Sequence, residues 1–196
     1  LGDVHVVLLS HAHEDHIGDQ KAAGLNAGTC ARPQVVSAAP NSNTAEIAAA
    51  KNSAVVVSND MRAFLGKKIE NIKGAQTVDC PTTGLARETV LPPTSPCLAN
   101  LQLGGKRMVK MTGQAAGVQI ALVQADHSNY VPRSLLTDPE KTNLAADNLT
   151  AYLGQASGYV LSFTNGLRVY LSGDTAIMYG VVFPGDDALV FVQRDR

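Results

Sequence analysis

The chain has 196 residues, of which 45% are hydrophobic and 17% charged, with 16 Lys and Arg against 17 Asp and Glu. That balance excludes a disordered chain, and no apolar run reaches the ~18 residues that a membrane span requires. A formal charge of -1 without any basic block leaves no electrostatic footprint for nucleic acid or an anionic membrane, so the expected partner is a small-molecule substrate.

Along the chain, Val4 to Leu9 is an apolar, β-branched run that reads as a buried strand, ending at Ser10 where the polar cluster His11 to His16 begins. Ile17 to Leu25 has helical character. Asn43 with Glu46 three residues later predicts a capping-box-like start to the Ala-rich helix Thr44 to Lys51. Ala54 to Val57 reads as a short buried strand, and Asp60 as the cap of a helix from about Met61 to Glu70 with Phe64 and Leu65 on its apolar face. From Gly74 to Gly105 the chain carries Pro81, Pro92, Pro93 and Pro96. This stretch is expected to be a long irregular, Pro-rich insertion, either a lid or an inert surface loop, within a single domain spanning residues 1–196.

Val118 to Val123 reads as a strand ending at Gln124-Ala125-Asp126-His127, and a short helix is expected near Pro139 to Leu149. Tyr159 to Phe163, the turn Thr164-Asn165-Gly166 and Leu167 to Leu171 form a hairpin signal whose second strand exits into Ser172-Gly173-Asp174. Cys30, Cys80 and Cys97 form no C-x-x-C pair, and free thiols are the simplest reading. A Cys80–Cys97 disulfide closing the proline-rich loop is the competing one, and would favour the periplasm or secretion over the cytoplasm.

His11-Ala12-His13-Glu14-Asp15-His16 packs three imidazoles and two carboxylates into six positions directly after a buried strand, where core histidines would lack partners. Two imidazoles one residue apart can chelate one ion, and the Asp-His pair that follows faces a second ion. His127 and Asp174 each sit at a predicted strand exit, as His11 does, so strands adjacent at one sheet edge would bring all three segments to the same rim. A carboxylate such as Asp174 can bridge two divalent ions.

His11-x-His13-x-Asp15-His16, Asp126-His127-Ser128 and Ser172-Gly173-Asp174-Thr175 together resemble the metallo-β-lactamase superfamily of binuclear metal hydrolases. The stretch from Gly158 through Asn165-Gly166 to Thr175 is most similar to the branch of ascorbate-6-phosphate lactonase-like hydrolases. The resemblance implies an α/β fold, the αββα sandwich, with two divalent ions at one edge, zinc ahead of manganese or iron. It places His11, His13 and His127 on one ion, Asp15 and His16 on the other, and Asp174 between them. A water held between the ions would lose its proton near neutral pH and attack an ester, lactone or phosphoester, with Asp15 orienting the nucleophile or taking its proton. β-Lactamases of the commonest subclass carry a cysteine where this chain has Asp174, so antibiotic hydrolysis is not expected. Tyr130 and Arg133 follow His127 closely and are the candidate substrate contacts, Arg133 toward an anionic group.

Two departures from the family pattern stand out. Members have several strands before the histidine motif and a further histidine beyond the bridging aspartate. Here ten residues precede His11 and no histidine follows Asp174. His5, about 20 Å up the entering strand at ~3.3 Å per residue, cannot substitute and is expected on that strand's more polar face. The expectation is a chain truncated at both ends. The alternative is a degenerate member that holds one metal or a ligand without catalysis.

Overall fold

The computed structural model describes residues 2–18, 42–84, 87–175 and the strand Leu189–Val192, the last in its backbone alone. It is a mixed α/β structure built on two sheets. The first has strand order β1 (Val6–Leu8), β2 (Ala54–Ser58), β5 (Cys97–Leu101) and β3 (Val78–Asp79), all paired in parallel. The second runs β10 (Leu189–Val192), β9 (Arg168–Leu171), β8 (Ser157–Ser162), β7 (Val118–Gln124), β6 (Lys106–Met111) and β4 (Thr89–Leu91). Its pairings from β9 through β6 are antiparallel, and its two outer ones are parallel.

β2 shows why the chain layers as it does. All five of its residues are buried, as a parallel strand covered on both faces requires. Val55 and Val57 point into a cluster with Ala45 and Ala48 of helix α2 (Asn43–Lys51) and with Leu65 and Ile69 of helix α3 (Arg62–Lys73). Ala54 and Val56 point the other way, into a cluster with Val109, Ile120, Leu122 and Tyr159 of the second sheet. The period of two thus sorts one strand's side chains into a helix-facing and a sheet-facing core. The short helix α1 (Glu14–Ile17) and helix α4 (Asp138–Ala146) also send Ile17 and Leu144 to the helix-facing cluster. A second helical layer, as the αββα expectation requires, is therefore not represented among the described residues.

Several sequence expectations need correction. Helix α2 is capped by Ser42, whose hydroxyl accepts from the Ala45 amide at 3.1 Å; Asn43 is its first helical residue, and Glu46 stands one position too far along for a capping box. Asp60 caps nothing. It lies in a 3-10 turn, Asn59–Met61, that leads into α3 without a side-chain cap. α4 begins at Asp138 behind a Thr137/Glu140 capping box and stops at Ala146, short of Leu149. Helical structure starts inside the histidine motif rather than at Ile17, and Gly18 ends α1 in the left-handed conformation, where a Cβ would meet Asn43 Cβ at 2.8 Å. The remainder of the expected helix to Leu25, and Cys30, lie outside the described residues.

The largest correction concerns Gly74 to Gly105, which is not irregular. It supplies β3, β4 and β5, and β5 pairs with all five residues of β2. Its prolines stand at strand boundaries, Pro92 and Pro93 after β4 and Pro96 before β5, where no ladder hydrogen bond is lost. Cys80 and Cys97 form a disulfide that ties this segment to the start of β5. No described helix is long and apolar enough to cross a membrane. The expected hairpin is present, with Ser162 opposite Arg168 across a turn closed by the Gly166 amide donating to Phe163 O at 3.1 Å. His5 does not face a polar surface: it lines a cavity of about 540 Å³ with Val6, Leu8, Leu161 and Phe163.

Candidate metal centre

Three strand exits meet at one place, and the register explains why. β7 and β9 both run antiparallel to β8, so they leave the sheet at the same end, beside the start of β8. Gln124, the last residue of β7, pairs with Ser157, the first of β8. The Ser157 amide in turn donates to Ser10 O at 3.0 Å, which draws the exit of β1 to the same corner. Tyr159 fastens that strand end from beneath, its buried hydroxyl lying 2.6 Å from Leu9 O and 2.9 Å from Val56 O and donating to these carbonyls. Burial holds its phenol well above the usual range, so the hydroxyl stays a donor.

Five of the expected ligands come together here. Two groups of donor atoms, each lying within 4.8 Å of one another, are formed by His11, His13 and His127 and by His11, His16 and Asp174. The Nδ1 of His13 and Nε2 of His127 are 3.1 Å apart. Two imidazole nitrogens bound to one tetrahedral zinc at ~2.0–2.1 Å would be about 3.3 Å apart, so this pair already has the spacing a shared cation needs. Asp174 straddles the two groups, with Oδ1 3.1 Å from His16 Nε2 and Oδ2 3.9 Å from His127 Nε2.

His11 is the centre of the arrangement. It is fully buried, its Nδ1 lies 3.0 Å from Ser10 Oγ, and its Nε2 is buried with no hydrogen-bond partner among the described residues. A buried ring nitrogen without a partner costs roughly 1–3 kcal/mol, and a cation at the focus of the two donor groups would remove that cost. The donor set therefore fits a divalent metal. Burial, and then the neighbouring rings of His16, His13 and His127, push the His11 pKa down to about 3. Burial and His127 lower that of His13 as well. Both rings are thus held neutral, the form that ligates.

Supporting residues that sequence reasoning did not find fix these rings. Ser10 Oγ serves His11 Nδ1 and also lies 3.2 Å from His16 Nδ1, turning the Nε2 atoms of both toward the centre. Asn129, fully buried, accepts from the Ala12 amide at 2.8 Å and donates to Leu153 O at 2.7 Å, locking the first histidine turn to the loop that carries His127. Thr175 Oγ1 accepts from the Asp126 amide at 2.9 Å and joins the Asp174 loop to that same loop. Gly173 has φ +61°, and a Cβ there would sit 2.9 Å from Ser10 Cβ, so only glycine lets Asp174 approach so closely. A serine at the strand exit was the one available signal for Ser10. Asn129 carried none, because its partners are 117 and 24 residues away.

The other expected site residues are placed differently. Asp15 sits on α1 with a side chain 76% exposed, its Oδ2 3.7 Å from His16 Nε2, and it belongs to neither donor group. Tyr130 lays its ring 4.2 Å from that of His13. Arg133, itself exposed, opens a 3-10 turn, Arg133–Leu135, downstream of the site.

No family model matches this chain, and no curated protein does. Among solved structures it is similar to Igni18, described as a novel metallo hydrolase from the hyperthermophilic archaeon Ignicoccus hospitalis KIN4/I, at 20% identity and a TM-score of 0.46. That similarity covers 90% of this chain but 45% of the other, so the chain spans about half that protein's length. A likeness this distant does not specify chemistry, which rests on the donor atoms themselves.

Proposed function

We propose that this chain is a metal-dependent hydrolase of the binuclear, metallo-β-lactamase-like type, built on an αββα sandwich and acting on an ester, lactone or phosphoester of a small molecule. The observation that carries this reading is the convergence of four imidazoles and one carboxylate, among them His11, whose buried Nε2 has no hydrogen-bond partner among the described residues. His11, His13 and His127 would hold one ion, and His16 with Asp174 a second, with Asp15 close enough to His16 to join it. Such ions, when bound, activate water and polarise a carbonyl or phosphoryl oxygen. The chain's own residues then do the rest. Ser10 and Asn129 hold the imidazoles in register, Asp174 supplies the charge that keeps two cations near each other, and exposed Asp15 orients the attacking water or accepts its proton. Tyr130 and Arg133 contact the substrate.

A second reading is favoured by one specific feature. His11 belongs to both donor groups, yet its Nδ1 is committed to Ser10, so its single remaining nitrogen can serve only one ion. Whichever ion takes it leaves the other with a poorer set of protein ligands. A chain that binds one ion tightly without turnover is the alternative. The test is metal analysis and hydrolysis of a panel of esters, lactones and phosphoesters by the wild type and His11→Ala. Turnover that depends on metal and falls at least a thousandfold in His11→Ala supports the hydrolase. One bound metal with no turnover across the panel supports the alternative, and native activity in metal-free protein contradicts both.

A further inference from the structure

The rim of the metal centre carries a feature that the ligand set does not use. Residues 129–131 and 151–153 form a two-stranded pairing in which Val131 N donates to Ala151 O and Leu153 N donates to Asn129 O, both at 2.9 Å. Tyr130 and Tyr152 stand directly opposite each other in it. Because the hydrogen bonds flank the pair rather than join it, this is the close, non-hydrogen-bonded kind, whose side chains leave on one face with Cβ atoms about 4.5–5.5 Å apart. The neighbours at odd positions all turn inward. Asn129 and Val131 are buried, and Ala151 and Leu153 pack against the helix-facing core. The two outward positions are both tyrosine, 43% and 57% exposed. The core is served by the other face of this pairing.

One of these rings already touches the centre, with Tyr130 4.2 Å from the His13 ring. The outward face of this pairing therefore meets the donor cluster through Tyr130, with Tyr152 at the neighbouring position on the same face. We propose that Tyr130 and Tyr152 form a two-ring wall that receives an aromatic ring of the substrate, so that the centre selects esters or lactones carrying an aryl group over small aliphatic ones. This rests on the hydrolase reading for its substrate class, but not for its binding test. Stacking of a ligand ring on such a wall contributes a selectivity of about fivefold.

The experiment is calorimetric titration of the zinc-loaded full chain with benzoate and with acetate, carboxylates that share a metal-seeking head and differ by the ring. Benzoate is expected to bind about fivefold more tightly than acetate. That preference should largely vanish in Tyr152→Ala and return in Tyr152→Phe, whose ring is retained. In parallel, the ratio of kcat/KM for benzyl acetate over ethyl acetate should fall about fivefold in Tyr152→Ala, through KM. Equal affinities in the wild type, or an unchanged preference in Tyr152→Ala, would overturn the wall. A benzoate preference without hydrolysis of any ester leaves the wall standing and contradicts the hydrolase. Ester hydrolysis without aryl preference does the reverse.

Discussion

The two donor groups share His11 but are built from different materials. His11, His13 and His127 form an all-imidazole set whose members are fixed from below by buried groups, Ser10 for one ring and Asn129 for the turn and loop between the others. His16 and Asp174 mix an imidazole with a carboxylate: His16 shares Ser10 with His11 and is no more exposed than His127, at 23% against 26%, while Asp174 comes close only because Gly173 adopts a left-handed backbone. What separates the two groups is the carboxylate and its glycine-dependent loop, not exposure to solvent. Rings oriented by hydrogen bonds lose little entropy on binding an ion, whereas a carboxylate positioned through its loop has more freedom to lose.

The most disruptive way to break the contrast is to remove what the groups share. His11→Ala should abolish tight metal binding altogether and with it any turnover, because neither remaining set keeps three close donors. Acidification comes next. Metal-free protein keeps His11 neutral in the folded state down to a pKa of about 3, while the unfolded chain protonates it near 6.5. The unfolded state therefore binds more protons between those values. Stability is fully present above about pH 6.5 and falls by up to about 1.4 kcal/mol per pH unit below it. Urea melts of metal-free protein at pH 7 and pH 5 would show a lower midpoint at pH 5, and His11→Ala should flatten the difference. A pH-independent midpoint would mean that the His11 ring is not held neutral by burial.

Asn129→Ala sharpens the comparison more gently. It removes the carbonyl that receives the Ala12 amide and leaves Leu153 O without its donor, so a loss of about 1–3 kcal/mol of stability is expected. Affinity for the first metal equivalent should fall about 10- to 100-fold, with the second little changed, as zinc titration with a competing chelator would read out. Equal weakening of both equivalents would show that the two groups are supported as one.

Much of this centre was legible in the sequence, because its donors sit at strand exits and because histidine at such density after an apolar run has few other uses. Parallel β2 was legible for a similar reason, as a short run of Val bounded by polar residues. What the sequence did not reveal shares one physical character: it depends on partners far along the chain. β5 reads as loop because prolines surround it, yet pairing with β2 overrides that local signal. Asp15 reads as a ligand by its place in the motif, while its large exposure on the single turn of α1, 3.7 Å from His16, is set by the backbone and not by the motif. The caps of α2 and α4 are hard to locate from sequence, since Ser42 and Thr137 differ from their polar neighbours only in backbone geometry.

Zinc titration of the wild type beside Asp174→Asn tests the central claim most directly. The donor geometry predicts two resolvable equivalents in the wild type, the first much tighter, and loss of the weaker one alone when the Asp174 charge is removed. A wild type that takes up no zinc, or an Asp174→Asn variant that loses the tight equivalent and keeps the weak one, would contradict it.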